Sequence, residues 1–155
     1  MQLKSSNHLE LHVARNFALA GLVLAGAGFL SPAWAALPPM QHQGNVEYVS
    51  GGIGIDESTS FKESMSKFPL AITFDQMEQG KGDYVANVKV AVRDGHGKDV
   101  LDTTAQGPYL LARLPAGKYQ VKATYQNETQ TRNVDIGRKG SEHLVFSWHR
   151  KMTKK

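Results

Sequence analysis

Histidines and carboxylates are the side chains of this 155-residue chain best suited to metal or acid–base chemistry. His8, Glu10 and His12 alternate in the manner of a metal cluster, but they fall in a leader that we expect to be removed. Four histidines follow the leader: His42, His96, His143 and His149. They form neither an H-x-x-E nor an H-E-x-x-H pair, the spacing that a hydrolytic zinc site uses. We therefore predict exposed histidines and no metal site.

A glycine-rich stretch, Gly51-Gly52-Ile53-Gly54, lies between a predicted strand and a predicted helix, where a phosphate-binding loop would lie. The dinucleotide pattern fails because Glu57 occupies the third glycine position. Asp56 and Glu57 also place negative charge where a phosphate would have to bind. We interpret the stretch as a structural turn and predict no cofactor.

Nucleophilic and paired-carboxylate chemistry also lack their patterns. The chain has no cysteine and no G-x-S-x-G motif. Asp99 and Asp102 are three residues apart on a predicted strand, so their side chains face opposite sides. We predict no catalytic residue. Four aromatic residues at alternating strand positions can be core residues or a platform for sugar: Tyr109, Tyr119, Tyr125 and Trp148.

The N-terminus has the features of a cleavable signal peptide spanning residues 1–35. Lys4 and Arg15 precede an uncharged apolar run of 14 residues, 17–30, shorter than the roughly 20 residues of a transmembrane helix. Ala33 and Ala35 form the small-x-small site that signal peptidase recognises, which makes Ala36 the predicted mature start. The alternative is an uncleaved anchor. Cleavage predicts a periplasmic or secreted protein with no remaining transmembrane span.

The mature chain would have 120 residues, enough for one domain, and a net charge of +3 with neutral histidines. Residues 36–44 hold two prolines and no periodicity, which predicts a flexible leader. Residues 150–155 form a basic tail that either frays in solvent or contacts an anionic surface. Without cysteine, neither a disulfide nor a lipid anchor on cysteine is possible.

The elements that position these residues begin with a strand–helix–strand segment, residues 45–79. A strand is predicted from Asn45 to Ser50 and another from Leu70 to Phe74. Between them, residues 56–67 predict a helix that Asp56 or Ser58 caps. Its apolar stripe has the i, i+4, i+7 spacing of one helix face: Phe61, Met65 and Phe68.

From residue 84 onward the pattern is almost entirely β. Alternating Val88, Val90 and Val92 predict a strand with one buried face. The stretch from Asp94 to Gly97 predicts a hairpin turn. Further strands are predicted at residues 100–104, 109–114, 119–125, 129–136 and 143–148. Short strands separated by turns predict a mainly β protein, a β-sandwich.

One segment resembles a known family through a D-x-x-G turn, a threonine-rich strand, a glycine with a nearby aromatic, and L-P-x-G-x-Y-x-V. The matching residues are Asp94, Gly97, Thr103, Thr104, Gly107, Tyr109, Leu114, Pro115, Gly117, Tyr119 and Val121. They resemble the carboxypeptidase regulatory-like family. The departures are Pro108 between the glycine and the aromatic, and Gln106 where an acidic residue is usual.

The resemblance implies a prealbumin-like (transthyretin-like) β-sandwich over residues 84–149, with residues 45–79 as an addition packed on it. It also implies a binding module, because these domains resemble an accessory lobe of metallocarboxypeptidases. We expect Gly117 at positive φ, with Tyr119 and Val121 pointing into the sandwich.

The function we expect is a non-enzymatic, exported binding or interaction module of the bacterial cell envelope. Its partner would be an envelope protein bound by the helix or a strand edge, and not a nucleic acid. The first alternative is carbohydrate or cell-wall glycan binding. The second is a small hydrolase, which in a transthyretin-like fold needs clustered histidines and an R-G-S-like tail motif, and this chain has neither.

Overall fold

A computed structural model describes residues 36–150, which fold into ten strands and one α-helix. In chain order these are β1 (Gln41–Gln43), β2 (Val46–Gly51), α1 (Ile55–Ser64), β3 (Leu70–Glu78), β4 (Lys81–Tyr84), β5 (Val88–Asp94), β6 (Asp99–Ala105), β7 (Tyr109–Arg113), β8 (Gly117–Tyr125), β9 (Glu128–Ile136) and β10 (Glu142–His149). A 3₁₀ turn, Met65–Lys67, extends the helix.

The strands form two sheets, which confirms the mainly β sandwich predicted from the sequence. The larger sheet has six strands in the order β1-β2-β7-β3-β10, with β4 paired to β3. Its pairs are antiparallel except β3 and β10, which run parallel from Leu70 opposite Glu142. The smaller sheet is antiparallel throughout, in the order β6-β5-β8-β9.

The main core lies between the two sheets. Val88, Val90 and Val92 are fully buried there, and the residues between them are more exposed, so the predicted alternation is correct. The larger sheet contributes three aromatic rings, Phe74, Phe146 and Trp148, whose centroids lie 6.2–6.5 Å apart. The alternation fixes the register because a one-residue slip would move these side chains out of the core between the sheets.

A second core lies on the outer face of the larger sheet, under the helix. Phe61 and Phe68 are buried there and Met65 is partly buried, which confirms the predicted stripe. The sheet side of this cluster is Val49, Ala71, Tyr109 and Leu111. Strands β2, β3 and β7 are thus buried on both faces, and this explains the apolar runs Leu70–Phe74 of β3 and Tyr109–Ala112 of β7.

The start of the helix differs from the prediction that Asp56 or Ser58 caps it. Gly54 is the N-cap residue and makes no side-chain capping bond. Glu57 instead turns back to accept a hydrogen bond from the N–H of Gly52 at 3.1 Å. The local pattern identified the acidic first turn correctly, but the preceding glycines let the helix begin one residue earlier than Asp56.

The structure also differs from the predicted boundaries of the flexible leader and of the strand–helix–strand segment. Part of the expected flexible leader, 36–44, forms β1, and Leu37 and Met40 pack against the helix-side cluster. The segment 45–79 was expected to pack on the sandwich, whereas β2 and β3 each pair with β7 inside the larger sheet. Strand alternation shows that a strand exists and does not reveal its partner.

Some predictions fall outside the described residues. The signal peptide with Ala33 and Ala35, and all of the basic tail except Arg150, are among them. Ala36 is the first described residue and is exposed. Between residues 36 and 150, the single α-helix is too short and too polar to cross a bilayer.

Candidate binding surface

The loop from Gly51 to Gly54, here called the glycine loop, is held by long-range packing against the start of β7. Gly52 and Gly54 have φ of 95° and 93°, values that glycine adopts most easily. A Cβ on Gly52 would lie 2.2 Å from the ring of Tyr109. One on Gly107 would lie 2.4 Å from the carbonyl oxygen of Gly51. This tight packing on both sides of the glycine loop agrees with the predicted structural turn.

Tyr109 is the buried residue against which the glycine loop packs. It is 1% exposed, its ring stacks on Phe61 with centroids 5.8 Å apart, and Tyr84 lies against it at 5.5 Å. Ser58 Oγ donates a hydrogen bond to the Tyr109 hydroxyl at 3.4 Å.

Tyr84 is the exposed partner of this pair. A hydrogen bond with Tyr109, followed by desolvation, raises the pKa of Tyr84, although Lys62, whose Nζ lies 5.6 Å from the ring centroid, lowers it. The phenol therefore keeps its proton and can donate a hydrogen bond.

Large apolar side chains are exposed around this loop. Among residues 36–150, Ile55 is 86% exposed, Ile53 67% and Tyr84 57%, and only Val145 shares this property elsewhere. The first three line one cleft of about 460 Å³ together with Ser58, Val85, Ala86 and Pro108. We call these cleft residues the glycine-loop surface. Apolar side chains that cluster in solvent are typical of a protein-binding site.

Side chains satisfy main-chain groups at several positions along the edges of the sandwich. On one side, Gln106 N–H donates to Ser50 Oγ at 3.0 Å, and Asp102 N–H donates to a Gln43 side-chain oxygen at 2.8 Å. On the other, the Gln130 side chain donates to Ser147 O, and Trp148 Nε1 donates to Glu128 O. These main-chain groups are already satisfied within the molecule, which disfavours the addition of a foreign strand.

The D-x-x-G part of the family pattern forms the expected hairpin. Asp94 Oδ1 accepts hydrogen bonds from His96 N–H at 2.9 Å and Lys98 N–H at 3.0 Å. The Lys98 bond is the main cause of the lowered pKa of Asp94. Gly97 completes the turn with φ of 83°. These residues therefore act structurally.

The L-P-x-G-x-Y-x-V part also lies in the fold and not in a site. Leu114, Tyr119 and Val121 are buried in the main core, as predicted. The Tyr119 hydroxyl donates to Pro115 O at 2.8 Å and fixes the turn. Gly117 has the predicted positive φ, but at 159° it is nearly extended, and a Cβ would contact the Tyr119 ring at an ordinary 3.7 Å.

The four histidines that follow the predicted leader lie at the surface, in different parts of the fold. His42, His96, His143 and His149 are exposed; His42 Nδ1 lies 3.9 Å from Glu47 Oε1, and His143 Nε2 lies 2.8 Å from Thr73 Oγ1. Within the described part of the chain, no three His, Asp or Glu side chains are placed to hold a metal ion. Asp99 pairs with Arg93 at 2.8 Å, and that hydrogen bond lowers the pKa of Asp99.

The four aromatic residues considered as a sugar platform pack inward. Tyr109, Tyr119 and Trp148 are buried, and the partly buried Tyr125 lies 5.5 Å from Trp148. Sequence reasoning missed the surface that the fold does expose. A usable signal existed, since Ile53 and Ile55 lie among glycines at a strand–helix turn, where a side chain has little to pack against.

Comparison with known proteins adds little. No family model matches this chain, and no curated protein matches it. Among solved structures, the Bacillus anthracis TIE protein is similar over 53% of this chain, at 16% identity and a TM-score of 0.36. The matching region spans only 16% of that protein, and a likeness this weak supports no statement about function.

Proposed function

We propose that this chain is a non-enzymatic, exported binding module of a bacterial cell envelope, and that its glycine-loop surface binds a protein partner. One observation carries the proposal: Ile53, Ile55 and Tyr84 are exposed around a single cleft. The predicted signal peptide, residues 1–35, supports export.

The composition of the surface favours a protein over other ligands. Exposed isoleucine and tyrosine offer the apolar area and the hydrogen-bonding hydroxyl found at the centres of protein interfaces. Asp56 and Glu57, in the first turn of α1, would repel anionic lipid or wall polymer at the same place. The buried aromatics offer no sugar platform, so we do not propose glycan binding.

Site-specific photo-crosslinking in growing cells tests the proposal. A photoreactive amino acid at Ile55 should form a discrete crosslinked protein band, which the additional change Ile53→Ser should weaken. The matched control is the same group at Lys122, an exposed position on the outer face of the smaller sheet. Equal crosslinking from both positions, or none from Ile55, would contradict the proposal.

A further inference from the structure

Two clefts share Ile53 as a common wall, and their linings differ in chemistry. The first, the Tyr84 cleft, is the apolar cleft described above. The second, the Glu57 cleft, has a volume of about 520 Å³. It is lined by Pro38, Pro39, Met40, Gln41, Ser50, Gly51, Ile53, Glu57 and Gln106.

Among residues 36–150, Glu57 is the one ionisable side chain that lines the Glu57 cleft. Its Oε1 accepts the Gly52 N–H at 3.1 Å and packs so closely that a Cβ on Gly51 would lie 2.2 Å from it. This bond holds the carboxylate at the cleft in a fixed orientation. The charge is therefore preorganised for a ligand, without the entropy cost of ordering a free side chain.

The charge of this region is opposite to that of the whole chain. The predicted mature chain has a net charge of +3, whereas Asp56 and Glu57 give the first turn of α1 two carboxylates. Lys62 does not line the Glu57 cleft, and its ammonium lies 5.6 Å from the centroid of the Tyr84 ring. A cationic group is thus the complement of the Glu57 cleft, and an apolar group is the complement of the Tyr84 cleft.

We infer that the occupant is an extended segment of a protein partner in which a lysine or arginine is followed or preceded, within a few residues, by a bulky apolar side chain. The cation binds in the Glu57 cleft and the apolar side chain binds in the Tyr84 cleft. Both side chains lie against Ile53, so the spacing between them is short. The inference rests on the proposed function and specifies the chemistry of the partner.

A peptide selection tests this chemistry. A display library of random 12-residue peptides is selected on the protein purified after expression of the full chain. We expect enriched sequences to combine Lys or Arg with Leu, Phe, Tyr or Trp. Glu57→Gln keeps an oxygen for the Gly52 N–H but removes the charge, and should raise the Kd of a selected peptide about threefold to fivefold.

Glu128→Gln is the matched control, because Glu128 is an exposed carboxylate in the smaller sheet. It should leave the Kd unchanged, and both variants should keep the melting temperature of the wild type. Acidic or uncharged selected peptides, equal effects of the two variants, or no enrichment at all would overturn the inferred chemistry. If a selected peptide binds Ile55→Ser as tightly as the wild type, the proposed surface itself is wrong.

Discussion

At the scale of single residues, the contact between Gly107 and Gly51 decides the shape of the candidate surface. Gly107 lies so close to the backbone of Gly51 that there is no room for a side chain at position 107. Tyr109, two residues further on, lies under Gly52 and stacks on Phe61 of the helix. The glycine and the aromatic of the family pattern therefore fix the glycine loop, although that loop lies outside the segment that carries the resemblance.

Gly107→Ala should lower the free energy of unfolding by about 1–3 kcal/mol, because the new Cβ forces the backbone of Gly51 to move. Urea denaturation of the purified variants measures this. Gly95→Ala is the control, since its Cβ would meet Lys118 O at an ordinary 3.5 Å, and it should change stability by less than about 0.5 kcal/mol. A neutral Gly107→Ala would show that the loop does not depend on this contact.

At the scale of elements, the edge strands are connected across the sandwich by side chains. Ser50 of β2 accepts the Gln106 N–H beyond the end of β6, and Gln130 of β9 donates to Ser147 O of β10. Each bond joins one sheet to the edge of the other. These bonds therefore stabilise the sandwich at its sides as well as through its core.

Ser50→Ala should destabilise the protein by about 0.5–1.5 kcal/mol, because it removes the side-chain acceptor of the Gln106 N–H. Ser147→Ala is the control, because Gln130 bonds the main-chain oxygen of Ser147, which the substitution keeps. It should change the free energy of unfolding by less than about 0.5 kcal/mol. Chemical denaturation compares the two. Equal changes in the free energy of unfolding would show that water replaces Ser50 as the acceptor of the Gln106 N–H.

At the scale of the whole molecule, the two outer faces have different characters. The smaller sheet presents Lys89, Arg93 and Lys122 to solvent, at positions that alternate with its core residues. All four exposed large apolar side chains of the described chain belong to elements on the larger-sheet side. One face is thus suited to solvent and the other to a partner.

Ile55→Ser should leave stability within about 0.5 kcal/mol of the wild type, because the side chain is 86% exposed and contributes little to folding. Phe74→Ala should cost about 3–5 kcal/mol, since it empties a fully buried ring site between the sheets. Thermal and urea unfolding measure both. A large loss for Ile55→Ser would show that Ile55 is a core residue, and loss of binding by this variant would then say nothing about the surface.

The sequence by itself determined the local structure. Alternation in Val88 to Val92 placed the buried face of β5, and Asp94 to Gly97 placed the hairpin, because both depend on residues that are close in the chain. The stripe of Phe61, Met65 and Phe68 placed the helix for the same reason. The missing catalytic spacings likewise required no structure to recognise.

Only the tertiary structure decided how the elements meet. That β2 and β3 both pair with β7, that Gly51 touches Gly107, and that Ile53 and Ile55 face solvent beside Tyr84 all depend on long-range register. Residue periodicity repeats over two to four positions, whereas these contacts join residues up to dozens of positions apart. A pattern of that length shows which side of a strand is buried, and it carries no information about which strand lies next to it.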